Sequence, residues 1–207
     1  MSSKLSVILS PLEQEDRDQF ITDNQRAFKF GAEEYYKNEE EHFQGEEGDE
    51  IISRKTIEDS IDAENAETYR ITLDGKKIGG VVLRIDKEKK KGDLVLLFVN
   101  PENHSKGVGY GAWLAIEKMH PEIEVWETVT PYFEKRNIHF YVNKCGFHIV
   151  EFYHKGHPDP HRPSGMEKDN NSNEKKEEKG KGEEKGEDKD EEEREDEMFR
   201  FQKIIKK

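Results

Sequence analysis

The chain has 207 residues, and its 47 acidic side chains outnumber its 34 basic ones, which gives a formal net charge of −13. This balance excludes the strongly basic surface of a nucleic-acid-binding protein, and no window approaches the roughly 18 apolar residues of a membrane-spanning helix. The single cysteine, Cys145, excludes an intramolecular disulfide. We therefore expect a cytoplasmic monomer or homodimer that binds neither nucleic acid nor membranes.

The first third of the chain predicts one strand and two helices. Residues 3–9 alternate apolar and polar side chains, which is typical of a strand. Pro11 and the acidic residues after it mark the start of a helix that runs to about Tyr36. A short second helix is expected over 56–63, with Thr56 as its N-cap.

The rest of the chain predicts a hairpin followed by alternating strands and helices. The dipeptide Asp74-Gly75 lies between two alternating segments and predicts a tight hairpin turn, and the apolar run 93–99 predicts a strand in the middle of a sheet. The later elements are a helix from a glycine-rich turn to about Met119, a strand over 124–130, a helix over 133–144, and strands over 147–153 and 198–205. This alternation predicts a layered α/β domain.

A charged segment separates the last two predicted strands. Residues 167–197 contain 16 acidic and 8 basic side chains and no aliphatic or aromatic one, so they cannot bury enough apolar surface to offset the entropy of ordering. The apolar pattern of 198–205 nevertheless requires a sheet to pair with. We therefore interpret 1–207 as one domain, with 155–197 as a charged, largely disordered insertion before the final strand.

The stretch HSKGVGYG, residues 104–111, carries the clearest functional signal. Glycines that open a helix expose main-chain N–H groups at the positive end of the helix dipole, which favours an anion such as a phosphate. The spacing does not match a nucleotide-triphosphate P-loop. A dinucleotide fingerprint fits poorly, because seven residues separate the preceding strand from Gly107. A turn for the pyrophosphate of coenzyme A is the third interpretation.

Two stretches together resemble one protein family. LLFVNPENHSKGVGYGAW, residues 96–113, resembles the acetyl-CoA-binding motif of the GNAT superfamily of N-acetyltransferases, and NIHFYVNKCGF, residues 137–147, resembles its second motif. The resemblance implies an α/β fold with a mixed, mostly antiparallel central sheet of about seven strands flanked by about four helices.

The resemblance also implies an activity. Acetyl-CoA is the expected co-substrate, and the acetyl group is expected to pass to a primary amine, of a small molecule or a protein, by direct attack. No metal site is expected. The alternative is a module that binds coenzyme A, has lost its catalytic groups, and uses its acidic insertion to bind a partner.

The first motif supplies most of the expected contacts to acetyl-CoA. The family pattern [QR]xxGx[GA] begins with Gln or Arg, and this sequence has His104 at that position. The imidazole N–H of a histidine can still donate to a phosphate. The main-chain N–H groups of Phe98 and Val99 are expected to reach the thioester carbonyl from a bulged strand. The complete expected set is Phe98, Val99, His104, Ser105, Lys106, Gly107, Val108, Gly109, Gly111 and Asn137.

The second motif implies a proton donor for the departing thiolate. The family uses a tyrosine here, which implies that role for Tyr141, and Asn137 corresponds to an asparagine near the pantetheine arm. The common pattern FYxKxGF is one residue shorter than FYVNKCGF. Counting back from Gly146 therefore places Val142 at the tyrosine position, and a packed aromatic role for Tyr141 remains open.

The proton acceptor is expected on the strand after the glycine-initiated helix. Glu127 lies in that strand beside Trp126, where partial burial would raise the pKa of its carboxyl, so we expect Glu127 to act as the base. Asp93 is a weaker candidate, because its position favours closing the charged turn before its strand.

Overall fold

The computed structural model describes residues 7–38, 51–104, 107–160 and 197–205, and for 35–38 the backbone alone. The elements are β1 (Val7–Pro11), α1 (Arg17–Asn38), α2 (Arg54–Ile61), β2 (Ala66–Leu73), β3 (Lys76–Asp86), β4 (Lys91–Val99), α3 (Val108–Met119), β5 (Val125–Pro131), α4 (Lys135–His139), β6 (His148–Tyr153) and β7 (Met198–Ile204). A π-helical turn over Phe140–Cys145 directly follows α4.

The predicted order of elements is confirmed within these ranges. Ser53, rather than Thr56, caps α2, because its hydroxyl accepts the main-chain N–H of Thr56 at 3.1 Å. Residues 3–6 of the first predicted strand lie outside the described residues. So does the predicted insertion, apart from 155–160 and 197.

The strands form one seven-stranded sheet in the order β1-β2-β3-β4-β5-β7-β6. Every neighbouring pair is antiparallel except β4 and β5, which are parallel. The last strand of the chain thus lies between β5 and β6. With its four helices, this is the mixed, mostly antiparallel α/β fold that the resemblance implied. None of the described helices is long and apolar enough to span a membrane.

Helices cover both faces of the sheet, which explains the nearly continuous apolar sequence of β3. Val81 and Leu83 face a core that includes Trp113 of α3, whereas Val82 faces α1 and α2. The indole of Trp113 meets that of Trp126 on β5 edge to face, with ring centroids 5.4 Å apart. Burial of apolar side chains on both faces therefore stabilises the centre of the sheet, where β4 and β5 lie.

A buried ion cluster joins α1 to β2. The guanidinium of Arg70, 2% exposed, donates to Asp16 at 2.7 and 3.1 Å and to Asp23 at 2.8 Å. It also lies over the ring of Phe20, 5.1 Å from the centroid. Burial alone would raise the pKa of Asp16, but the hydrogen bonds from Arg70 and from Lys77 outweigh it and hold that pKa below its usual value. The cluster fixes α1 against the sheet.

Replacement of Asp16 by asparagine should lower the free energy of unfolding by about 3 kcal/mol at neutral pH, because it leaves Arg70 buried with one carboxylate instead of two. A lowered pKa stabilises the fold above the unfolded value, near 3.9, and this stability is lost as the pH falls through the folded pKa. Denaturant unfolding should therefore show a gap between wild type and variant that narrows below about pH 4. Asp59→Asn, which breaks the exposed pair with Lys55, is the matched control and should change stability by less than about 0.5 kcal/mol. Equal losses from both variants would contradict a structural role for the cluster.

Candidate active site

The candidate site is the gap that opens between β4 and β5. These strands pair at only three positions, from Lys91 with Val125 to Asp93 with Glu127, and then diverge. At the beginning of the gap the hydroxyl of Thr128 donates to the carbonyl oxygen of Leu94 at 2.9 Å. Beyond this bridge no ladder joins the two strands, so their facing main-chain groups are open to a ligand.

A bulge in β4 determines which of its groups face the gap. Val82 pairs with Leu96 and Leu83 with Leu94, so Val95 is the extra residue. Beyond it, the N–H of Asn100 donates to Ile78 of β3 at 2.8 Å. Since donors alternate in direction along a strand, the N–H of Leu97 and of Val99 faces the gap.

This geometry corrects the expectation for Phe98. By the same alternation the N–H of Phe98 is directed at β3, with Gly80 as its paired residue. Its ring packs edge to face on Phe20 of α1, with centroids 5.1 Å apart. Leu97, rather than Phe98, therefore presents the second main-chain donor beside Val99. The bulge was expected at Phe98 and Val99 but lies at Val95, and a bulge position has no signal in an apolar run.

The glycine turn places the N-terminus of α3 next to this gap. Gly107 has a φ of 75°, which a residue with a side chain rarely adopts, and it forms the N-cap of α3. The first intrahelical bond runs from Gly111 to Gly107 at 2.9 Å, so the N–H groups of Val108, Gly109 and Tyr110 have no partner within the helix. Ser105 and Lys106 lie outside the described residues.

The other two glycines permit close packing. A Cβ on Gly109 would lie 3.4 Å from the ring of Phe140, and one on Gly111 would lie 2.9 Å from Val7 of β1. Gly111 thus allows α3 to approach the sheet. Gly109 leaves the surface between α3 and the π-helical turn without a side chain.

His104 is engaged differently from the expectation. Its Nε2 lies 2.7 Å from the carbonyl oxygen of Val99. Because that oxygen only accepts, Nε2 carries the proton and Nδ1 is an acceptor. Burial lowers the pKa of the imidazole, and Nδ1 is buried with no partner among the described residues. A neutral ring bound through Nε2 has no second N–H to offer, so this arrangement does not favour His104 as a phosphate donor, and its contact with coenzyme stays a prediction.

Tyr141 is buried in the core and lies within the π-helical turn. The N–H of Gly146 donates to the carbonyl of Tyr141, five residues earlier, and Gly146 has a φ of 78°. The ring packs against Phe147 and Phe201. Its hydroxyl hydrogen-bonds with Thr128, the residue that bridges the beginning of the gap. Val142, only partly buried, packs against the same core.

Burial strongly raises the pKa of Tyr141, and the negative charge of Glu134 adds to this rise. Glu134 directly precedes α4, at the far end of the gap. Its Oε1 lies 3.6 Å from the position that a Cβ on Gly31 of α1 would occupy. Burial raises the pKa of the Glu134 carboxyl, against a smaller opposing effect of Arg136. Sequence reasoning missed Glu134; its only signal was its position between β5 and the second motif.

Glu127 lies at the closed end of the gap, inside a network of ion pairs. Its carboxylate accepts from Lys91 at 2.8 Å, Arg200 at 2.9 Å and Gln202 at 2.9 Å. Burial favours a higher pKa, but Lys91 and Gln202 outweigh it, so the pKa of Glu127 is lowered. The expectation of a raised pKa was wrong, because the cations of β4 and β7 are distant from Glu127 in sequence.

Asp93 shows the opposite shift. Burial raises the pKa of Asp93; the Lys91 ammonium, 3.6 Å away, opposes this rise, and repulsion from Glu127 adds a smaller one. Asn137 lies in the middle of α4, partly buried and one turn beyond Glu134. Its expected contact with coenzyme stays a prediction. The described residues contain no group of three or more His, Cys, Asp or Glu side chains placed to hold a metal ion.

A parallel pair that splits beside a glycine-capped helix, inside a mixed seven-stranded sheet, defines the class of acyltransferases with this fold. Residues 17–147 match the acetyltransferase (GNAT) family. The chain belongs to that family.

Three individual proteins are similar to this chain. The Bacillus subtilis (strain 168) protein named Uncharacterized protein YrkN is 45% identical over 155 residues, which are 75% of this chain and 80% of that protein. The ribosomal-protein-S18-alanine N-acetyltransferase of Escherichia coli superposes with a TM-score of 0.60 at 13% identity, over 98% of this chain and 96% of that one. The PaiA N-acetyltransferase of Thermoplasma acidophilum, solved in complex with coenzyme A, gives 0.59 at 16% identity, over 97% and 100%. At these identities the two structures show the shared fold alone.

Proposed function

We propose that this protein transfers the acetyl group of acetyl-CoA to a primary amine by direct attack. The observation that carries the proposal is the gap between β4 and β5. It places the N–H groups of Leu97 and Val99 beside the N-terminus of α3. One end of such a site suits the phosphates of coenzyme A, and the other suits a thioester carbonyl.

The N-terminus of α3 would bind the pyrophosphate. The N–H groups of Val108, Gly109 and Tyr110 have no partner within the helix, and the helix dipole adds positive potential at this end. The pantetheine arm would then follow the gap between the strands. The thioester carbonyl would accept from Leu97 and Val99, which stabilise the negative charge that develops on its oxygen during attack.

Glu134 is the proposed proton acceptor in place of Glu127. Burial raises the pKa of the Glu134 carboxyl toward neutral pH, and a general base is most effective when its pKa lies near the working pH. Glu134 would take a proton from the acceptor ammonium, so that the free amine attacks the thioester carbon. Asp93, whose pKa is also raised, is the competing carboxylate.

Tyr141 is the proposed proton donor. As the new C–N bond forms and the C–S bond breaks, the thiolate would take the phenolic proton, and the phenolate would recover one from the cationic nitrogen of the intermediate. The raised pKa of Tyr141 keeps the phenol protonated. The same dry surroundings raise the pKa of the departing thiol, which reduces the mismatch between the two groups.

The proposal is tested by release of free thiol from acetyl-CoA across a panel of polyamines, amino acids, aminoglycosides and lysine peptides. Gly109→Trp is the blocked variant, since an indole at this position would fill the space between the N-terminus of α3 and Phe140. We expect turnover with at least one class of amine, and loss of coenzyme affinity by roughly a hundredfold or more in the blocked variant.

The matched control is Leu114→Trp, which puts the same indole further along α3, on a residue that is 43% exposed and lies outside the proposed pyrophosphate site. This variant should keep both coenzyme affinity and turnover. Coenzyme binding without turnover on any amine would instead support the alternative of a catalytically weak binding module. No coenzyme binding at all would contradict both functions.

A further inference from the structure

Helix α1 crosses over the gap on the face opposite Tyr141. Phe20, Asn24, Ala27 and Gly31 follow one another at the spacing that puts residues on one line of a helix. At the start of this line Phe20 packs on Phe98 of β4. At its end Gly31 lies beside Glu134, which follows β5. The residues between them, Asn24 and Ala27, therefore lie above the gap.

Asn24 is a polar residue in a buried, mostly apolar position. Its side chain is fully buried, at 0% exposure, and neither Nδ2 nor Oδ1 has a hydrogen-bonding partner in the part of the chain that the structure describes. A buried polar group without a partner is costly and is rare in folded proteins. The neighbouring buried polar residue on the same side of the sheet, Arg70, is by contrast fully paired.

At the end of β4 lie two more acceptors that have no partner among the described residues. They are Oδ1 of Asn100 and Nδ1 of His104, whose ring contacts Phe30 of α1 edge to face at 5.4 Å. Together with Oδ1 of Asn24, three buried acceptor atoms border the same end of the sheet. Oδ1 of Asn24 and the other two acceptors can each accept an N–H group from a ligand such as an amine.

We propose that the carboxamide of Asn24 binds the attacking amine, with Oδ1 accepting one of its N–H groups. This rests on the proposed acetyl transfer. An amide oxygen has no proton to lose, so it orients a neutral amine without competing as a base, and the lone pair of the amine stays directed at the thioester carbon. Ala27 and Gly31 are the small residues further along the same line of α1, and the substituent of the amine would lie beneath them.

The test is Asn24→Leu, which keeps the side-chain volume and removes both unpaired groups. We expect the melting temperature to rise by about 2–4 °C, because a buried polar group without a partner has been replaced by an apolar one. With the best amine of the panel, kcat/KM should fall at least roughly tenfold, as for the loss of a hydrogen bond in a desolvated site. The KM for acetyl-CoA should not change.

Thr68→Val is the matched control. The hydroxyl of Thr68 is also buried without a partner in the described residues, but it lies on β2, two strands away from the gap. This variant should gain stability with unchanged kinetics. Wild-type kinetics in Asn24→Leu would overturn the role of Asn24 but not the proposed acetyl transfer. A fall in its melting temperature would show that the carboxamide stabilises the fold and would also overturn the role. Absence of turnover by the wild type on every amine would overturn the proposed function itself, and the role of Asn24 with it.

Discussion

Glu134→Gln should lower kcat by about 10²–10³-fold, the loss expected when a general base is replaced by a neutral isostere. Glu134 combines a partly buried carboxyl of raised pKa with a position at the open end of the gap, beside α1 and within electrostatic reach of Tyr141. The amide retains the shape of the side chain but has no lone pair basic enough to take a proton from an ammonium. Steady-state kinetics with saturating acetyl-CoA would measure the effect.

The pH profile separates a base from a residue that only positions substrate. A base acts when deprotonated, so the wild-type rate should rise as pH increases through the raised pKa of Glu134, above the range of an ordinary glutamate. This acid limb should disappear in the glutamine variant. A carboxyl whose pKa is raised by folding destabilises the native state above that pKa, so the variant should be as stable as the wild type or more stable at neutral pH.

Two other carboxylates provide the comparison. Glu127→Gln should change kcat by less than about threefold, because Glu127 is held by three donors at the closed end of the gap and its pKa is lowered. Asp93→Asn tests the competing candidate, since burial also raises the pKa of Asp93. A larger loss of kcat in Asp93→Asn than in Glu134→Gln would assign the base to Asp93 instead.

The second large effect is expected from Tyr141→Phe, which should lower kcat by about 10²-fold while the affinity for coenzyme A stays unchanged. The substitution removes only the hydroxyl that bonds to Thr128 at the beginning of the gap. The aromatic ring would still pack on Phe147 and Phe201, so the melting temperature should fall only by the equivalent of one buried hydrogen bond, about 1 kcal/mol.

Tyr69→Phe controls for the loss of a tyrosine hydroxyl as such. Tyr69 lies on β2, away from the gap, and its hydroxyl donates to Glu67 at 2.5 Å. The control should leave kcat unchanged. Wild-type activity in Tyr141→Phe would show that the thiolate takes its proton from solvent and that Tyr141 is an aromatic core residue, the alternative left open by the extra residue in FYVNKCGF.

The extra residue in FYVNKCGF coincides with a π-helical turn over Phe140–Cys145. Counting back from Gly146 along the motif places Val142 at the tyrosine position, but the count takes no account of the hydrogen-bonding pattern of the helical turn. Tyr141 lies within this turn, whose hydrogen-bonded ring is wider than that of an α-helix, and is buried in the core. The hydrogen-bonding pattern of a helical turn depends on the packing around it, which a motif does not contain.

The sequence by itself determined the architecture and the place of the site. Alternating strand and helix patterns, the hairpin at Asp74-Gly75 and the glycine turn at Gly107 are local signals, because they arise from side-chain periodicity and from backbone conformations that glycine alone adopts easily. The tertiary structure decided the chemistry of the candidate residues. The pKa values of Glu127, Asp93 and Glu134 depend on cations and burial contributed by distant strands and helices. The direction of each N–H in β4 depends on strand pairing, and the unpaired amide of Asn24 depends on what α1 covers. These are long-range properties, and no short stretch of sequence carries them.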